Sequence, residues 1–360
     1  MNLVKIIFIY FFINIYIFKL LCFYFVQIFN MGLLKVAFVT GGYSGEAEIS
    51  YKSAITIMAH LDTTIFEVYK IDIRTDGWWY QAENKPETPV DKNDFSITTH
   101  EGVKINFDCI FIGIHGTPGE DGKLQGYFDM LKIPYTSCAA APSAITFNKR
   151  YTVAIAAMSG IDVAKSVHIF NNTTYNIIDI QNQLQFPVFV KPNNGGSSIG
   201  MSKVNLPVNL QAAINKAFLE DTQVLIEEFI TGPEFTIGVY KTNNIVTTLP
   251  ITQIIAKNEF FDFEAKYTAG ASQEITPANL DDTKAQQIQD AAKKLYNIFN
   301  CSGVIRIDFI YNNTLQKPYM LEINTVPGQS AASIIPQQVK AANILLKHFY
   351  TSLIMQSISN

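Results

Sequence analysis

LKVAFVTGGYSGE, residues 34–46, opens the body of the chain. The run 34–40 is rich in strand-forming residues, and Gly41, Gly42 and Gly45 then break it before a helical stretch at 46–60. Strand, glycine turn and helix together make the start of an α/β unit. Outward from it come a strand at 65–71, a polar insertion at 82–101 rich in Asp, Glu, Pro and Thr, a strand at 108–112, a second glycine-rich turn at 116–122 and a helix at 123–131. The alternation predicts a parallel sheet covered on both faces, with ligands at the carboxyl ends of its strands, where both glycine turns lie. The first turn is not the G-x-G-x-x-G of a dinucleotide fold.

From about 138 the pattern becomes α+β. A helical region at 142–159 precedes short strands at 165–170, 187–191, 199–204, 223–230, 234–240 and 245–256, with helices at 174–184 and 207–220. A long helix at 280–299 carries Ala285, Ile288, Ala292, Leu295 and Phe299 at 3–4 spacing, which marks one face as core. Strands at 303–311 and 318–323 read as a hairpin across Asn312 and Asn313, and a last helix covers 335–349.

The 360 residues are 48% apolar and 16% charged, ample apolar surface for a folded core. The net charge of −4 excludes a broad nucleic-acid footprint. Cys22, Cys109, Cys138 and Cys301 form neither a disulfide framework nor a C-x-x-C zinc pair. Residues 1–30 stand apart: 24 of them are apolar, and Phe, Tyr, Ile, Asn and Lys supply 22. The stretch is long enough to span a bilayer and lacks a small-residue cleavage site. Its A/T-codon composition favours a misplaced start ahead of a membrane anchor, with translation expected to begin at Met31.

Three segments carry chemistry. In Arg306-Ile307-Asp308 and Glu322-Ile323-Asn324, alternate residues of a strand face one side, so pairing of the two strands would converge four polar groups. Carboxylate and amide oxygens suit Mg²⁺, and an adjacent Arg suits an oxyanion or phosphoryl group. A salt-bridged solvent face would give the same pattern. KPNNGGSSIG, 191–200, leaves an apolar strand as a flexible loop whose N–H groups can cradle phosphate, or as a plain hairpin turn. FDFEAKY, 261–267, reads as a long loop of the kind that serves as a lid. In the front half, His115 ends a strand as a site candidate, while Glu120 and Asp121 suit the capping of the following helix and Glu46 is ambiguous on its own.

Taken together, GGYSGEAEIS (41–50), HGTPGEDGKLQG (115–126), VKPNNGGSSIGMSKV (190–204), IEEFITGPEFT (226–236), FDFEAKY (261–267), RIDF (306–309) and LEINTVPGQSAASIIP (321–336) resemble the D-alanine–D-alanine ligase family of the ATP-grasp superfamily. The seven segments fall in order over about 34–354, which makes the resemblance specific. It implies an ATP-grasp fold preceded by a parallel-sheet, Rossmann-like domain: a substrate-binding domain at 31–137, a central subdomain at 138–230 and a C-terminal subdomain at 231–358, with the apolar extension at 1–30 outside the resemblance. It implies ligation of two D-alanines through an acyl phosphate in the cytoplasm for peptidoglycan precursor synthesis, or a related ligation to D-lactate or D-serine. ATP is the co-substrate, two Mg²⁺ (or Mn²⁺) ions the cofactors and a homodimer the assembly; no nucleic acid takes part, and no membrane if translation starts at Met31.

By motif match, Asp308, Glu322 and Asn324 hold the metals, and Asn324 also meets ATP. Lys149, Lys191, Lys266, Ser197 and Ser198 contact the phosphates; Glu227, Glu228 and Ile230 hold adenine; Glu234 holds the ribose. Arg306 and the Gly328 N–H form the oxyanion site. Glu46 takes the first substrate's ammonium, Ser333 and Ile334 the second's carboxylate, and His115 sits near both. Ser197 and Tyr267 link to Glu46 as the lid closes, and Tyr267 favours an amine acceptor. Ala47, Phe261, Phe263, Val326 and Gln329 depart from the usual family pattern without removing a metal or phosphate ligand. The complete set Lys149, Lys191, Arg306, Asp308, Glu322 and Asn324 argues against a non-catalytic nucleotide-binding protein.

Overall fold

The computed structural model describes residues 32–196, 199–256 and 272–359. Expectations for 1–30, for Ser197 and Ser198, and for the lid with Lys266 and Tyr267 lie outside the described residues. β1 (Leu34–Gly41) runs parallel to β2 (Phe66–Arg74) on one side and β7 (Cys109–Ile112) on the other. Val36 to Val39 are fully buried, because both faces of the strand are covered. α1 (Ala47–His60) is the crossover that a parallel pair requires.

Beyond β2 the sheet is mixed rather than parallel. β3 (Gly77–Tyr80), β4 (Thr88–Asp91), β5 (Ser96–Thr98) and β6 (Lys104–Ile105) continue it antiparallel, in the order β6-β5-β4-β3-β2-β1-β7. Only two residues separate β2 from β3, room for a hairpin and not for a crossover. The polar composition of 82–101 hides Val90, Phe95 and Ile97, which pack with Phe107 and with Phe128 of α2 (Lys123–Leu131).

A second, antiparallel sheet has the order β10-β9-β11-β8: β8 (Ser166–Phe170), β9 (Val188–Pro192), β10 (Ser202–Val204) and β11 (Gln223–Glu228). Val188, Val190, Val224 and Ile226 meet Leu210 and Ile214 in its core. Ahead of it, the helical region expected at 142–159 is two helices, α3 (Ala140–Phe147) and α4 (Lys149–Met158). Asn148 divides them because its side-chain oxygen accepts the Tyr151 N–H at 3.1 Å and starts a fresh helix.

The third sheet is also antiparallel: β12 (Glu234–Thr242), β13 (Ile245–Thr248), β14 (Thr252–Ala256), β15 (Ser272–Ile275), β16 (Val304–Asn312) and β17 (Lys317–Asn324). Its order is β15-β14-β12-β16-β17, with β13 on β12. The helix Asp282–Ile298 packs Ile288, Ala292 and Leu295 against it, the face expected from their spacing. The last expected helix is again two, Ile334–Ala341 and Leu346–Ile358, parted by Asn343 in the left-handed region at φ 59°. The turn lets Phe349, Tyr350, Leu353 and Ile354 pack on Val36, Phe38 and Phe111 of the first sheet.

Candidate active site

The site is assembled from the β16–β17 ladder outward. Arg306 stands opposite Asn324 and Asp308 opposite Glu322, so the four polar groups converge as the alternation predicts. Arg306 Nε donates to Asp308 Oδ1 and Nη2 to Oδ2, both at 2.9 Å, and Glu322 lies 3.9 Å from Nη2. From β12, Thr236 Oγ1 donates to Asp308 Oδ1 at 2.5 Å. Burial alone would lower the Arg306 pKa, but Asp308, Glu322 and Glu120 outweigh it and hold the guanidinium charged.

Asp308 and Glu322 help line a cavity of about 500 Å³ between the second and third sheets. Phe189, Met201, Ile310 and Leu321 give it apolar walls, and Lys149, Lys191, Glu227, Glu228, Ile230 and Glu234 also line it. Lys191 on β9 is ion-paired with Glu227 on β11, both largely buried. Lys149, the first residue of α4, donates from Nζ to the Gly195 carbonyl at 2.5 Å. Asn193 fastens this loop by accepting the Arg150 N–H at 2.9 Å. The glycine loop therefore lies over the cavity, held by two lysine-bearing elements. The volume and the apolar walls with a few convergent charges suit a nucleotide-sized ligand.

On the other side of Arg306 lies a second set of groups, carried by the carboxyl ends of β1 and β7. Glu46 is the N-cap residue of α1. It lies tightly between two glycine loops: a Cβ on Gly116 would fall 2.7 Å from Oε2, and one on Gly196 2.8 Å from Oε1. One helical turn on, Ser50 Oγ accepts the His115 N–H at 2.9 Å, and Ser53 Oγ lies 3.0 Å from His115 Nε2. Ser53 Oγ also accepts the Gln329 N–H at 3.1 Å, and Tyr350 OH donates to Gln329 Oε1 at 3.2 Å. His115 is buried, and burial, aided by Arg306, outweighs its hydrogen bond to the Val326 backbone and pulls it down to about 4. Ser333 is the N-cap residue of the helix Ile334–Ala341. Its Oγ is 2.8 Å from Ser330 Oγ and within 2.9 Å of where a Cβ on Gly328 would stand.

Glu120 does not cap the following helix. The N-cap residue of α2 is Gly122, and Asp121 is the one that meets the helix start, accepting the Lys123 N–H. Glu120 instead turns inward, buried, and accepts the Gly116 N–H at 2.6 Å. Burial and the nearby Glu46 carboxylate push it up to about 8. Sequence reading missed Glu120, Ser50, Ser53 and Thr236. Positions 46, 50 and 53 share one face of a helix, so hydroxyls at i+4 and i+7 from Glu46 were the available signal. Among the described residues no cluster of three or more His, Cys, Asp or Glu is placed to hold a metal; the candidate set is instead two carboxylates and one amide.

Comparison with known proteins shows the family. Residues 35–138 match the family described as D-ala D-ala ligase N-terminus, and 152–355 that described as D-ala D-ala ligase C-terminus. The chain is 46% identical over 324 residues to the D-alanine--D-alanine ligase of Azobacteroides pseudotrichonymphae, covering 89% of this chain and 98% of that one. It is 43% identical to that of Flavobacterium johnsoniae over 325 residues, covering 90% and 99%. Among solved structures, VanG D-Ala:D-Ser ligase from Enterococcus faecalis superposes with a TM-score of 0.82 at 30% identity, covering 91% of this chain and all of that one. D-alanyl-alanine synthetase A from Vibrio cholerae also gives 0.82, at 27% identity, covering 92% and 100%.

Proposed function

The chain belongs to the D-alanine–D-alanine ligase family, and from that premise we propose that the cavity between its second and third sheets binds ATP while the groups beyond Arg306 bind two D-alanines. The protein is an ATP-dependent ligase that joins two D-alanines for peptidoglycan synthesis. The observation that carries the site assignment is the β16–β17 ladder, whose Arg306, Asp308 and Glu322 stand where the nucleotide cavity meets the Glu46 and His115 cluster.

In this reading the apolar walls take adenine beside Glu227, Glu228 and Ile230, and Glu234 takes the ribose hydroxyls. Lys149 and Lys191 meet the phosphates, joined by Ser197, Ser198 and Lys266 of the covering loops. Asp308, Glu322 and Asn324 offer hard oxygen donors that fit Mg²⁺; Asp308 Oδ1 already accepts from both Thr236 and Arg306, whereas Asp308 Oδ2 and Asn324 Oδ1 each accept one N–H and keep a second lone pair. Bound there, the metal would neutralise phosphate charge.

Glu46 holds the first ammonium, and that D-alanine's carboxylate oxygen attacks the γ-phosphorus of ATP, releasing ADP and leaving an acyl phosphate. The second D-alanine docks its carboxylate on the Ser333 hydroxyl and the Ile334 N–H, at a helix N-terminus suited to an anion. Its amine attacks the acyl carbon, and Arg306 with the Gly328 N–H receives the charge on the tetrahedral oxygen until phosphate leaves. An acyl phosphate must be kept from water, the role we give Ser197 and Tyr267 as the lid meets Glu46. The division at 31–137, 138–230 and 231–358, the cytoplasmic setting where ATP is made, and a homodimer belong to the same proposal. No helix among the described residues is long and apolar enough to cross a membrane.

Purified protein with ATP, Mg²⁺ and D-alanine should release phosphate and dipeptide in equal amounts. Absence of D-alanine-dependent ADP formation would overturn the reading. Glu322→Ala should lower kcat at least ~100-fold if that carboxylate serves the phosphate end; retained turnover would remove it from the site.

A further inference from the structure

We propose that Ser53 is a positioning residue for the ligation: its one hydroxyl ties the His115 ring to the backbone of the 325–333 loop and so shapes the D-alanine end of the site before substrate arrives. A serine within a helix commonly back-bonds to the carbonyl four residues earlier, as Ser50 Oγ does to Glu46 O at 3.4 Å. The Ser53 hydroxyl instead reaches two groups distant in the chain, Gln329 and His115. A hydroxyl has one hydrogen to donate. It also has two lone pairs, so Oγ accepts the Gln329 N–H and meets His115 Nε2 as donor or acceptor according to the tautomer of the ring. The ring also has a hydrogen bond to the Val326 backbone. The imidazole is thereby held by α1 and by the 325–333 loop. Its main chain is held as well, through Ser50.

The same hydroxyl fixes the loop. Gln329 follows Gly328 directly, and its side chain is held from the last helix by Tyr350. Ser53, His115, Gln329 and Tyr350 are all buried, so these bonds form in a low-dielectric interior where each counts for more than at the surface. Loss of the Ser53 hydroxyl would leave the Gln329 N–H and His115 Nε2 unpaired together. It would free the ring to turn and the Gly328 and Ser333 loop to shift. The nucleotide cavity is lined by other residues.

The inference rests on the reading of His115 and this loop as the D-alanine end, so the test separates the two. Steady-state kinetics of the full chain and of Ser53→Ala are measured with D-alanine and ATP varied in turn, alongside thermal melting. If the wild type shows no D-alanine-dependent ADP formation, it is the functional reading that fails, and the inference falls with it. With an active wild type, Ser53→Ala should raise KM for D-alanine by about tenfold and leave KM for ATP within about twofold. Ser53→Thr, which keeps the hydroxyl, should return KM for D-alanine to within about threefold of wild type. An unchanged KM for D-alanine, or equal increases for both substrates, would overturn the proposal. Should Ser53→Ala fail to melt cooperatively, Tyr350→Phe carries the test: it removes only the bond to the Gln329 side chain and should raise KM for D-alanine about threefold with ATP unaffected. No change there would overturn it equally.

Discussion

Glu120 shows what a single buried carboxyl does to this site. It accepts the Gly116 N–H while Glu46 lies against the same glycine, so two carboxyls share one turn with Arg306 nearby. Its pKa of about 8 against an ordinary 4.5 has a definite sign for stability. Between those values the folded protein holds a proton that the unfolded chain has released. Stability from this group is therefore complete below about 4.5 and is lost as pH rises through 8. Glu120→Gln keeps an acceptor for the Gly116 N–H without the charge. Its melting temperature relative to wild type should rise from pH 5 to pH 8; a constant difference would show that the carboxyl does not titrate in this range. The role of Glu120 was not legible in the chain, because a carboxylate ahead of a helix also satisfies a local capping reading. His115 was legible as a candidate because it ends an apolar strand, yet its neutral state comes from burial that only the fold supplies.

At the level of elements, periodicity was a good guide where one face meets the core. The helix Asp282–Ile298 and the paired strands β16 and β17 follow it, since a 3.6 or a 2 repeat is a local property of the backbone. It misled where polar residues interrupt. Asn148 and Asn343 each divide an expected helical stretch, one by capping and one by taking φ > 0. The expected strand at 245–256 is β13 and β14, broken where Leu249 N–H turns to the Gly238 carbonyl at 2.8 Å. The Asn148 break positions Lys149 at the start of α4, above the cavity. Asn148→Ala should cost about 1 kcal/mol of stability by urea unfolding, from loss of the cap. Its KM for ATP should rise as Lys149 loses its place; a stability loss with unchanged KM would show that the cap holds the helix and not the lysine.

Across the whole molecule, the last helix joins the first sheet to the third. Phe349 and Tyr350 bury against Phe38 and Phe111 on one side and Tyr240 and Leu249 on the other. Phe349→Ala should destabilise the protein by about 3–5 kcal/mol in chemical denaturation, through lost burial and the cavity left behind; a loss under 1 kcal/mol would mean the contact adds little. Through Tyr350 and Gln329 this helix also touches the hydrogen-bond chain that ends on His115. The family's motifs, the order of the main elements and the shared facing of Arg306 with Asp308 and of Glu322 with Asn324 follow from the sequence by itself. Those features depend on residues a few positions apart, or on the two-residue period of neighbouring strands. The mixed sheet, the inward turn of Glu120 and the meeting of Ser53 with His115 and Gln329 were decided only by the tertiary structure. Ser53 and Gln329 are 276 positions apart, and no local spacing encodes a bond that exists only once three sheets have packed together and water has left the space between them.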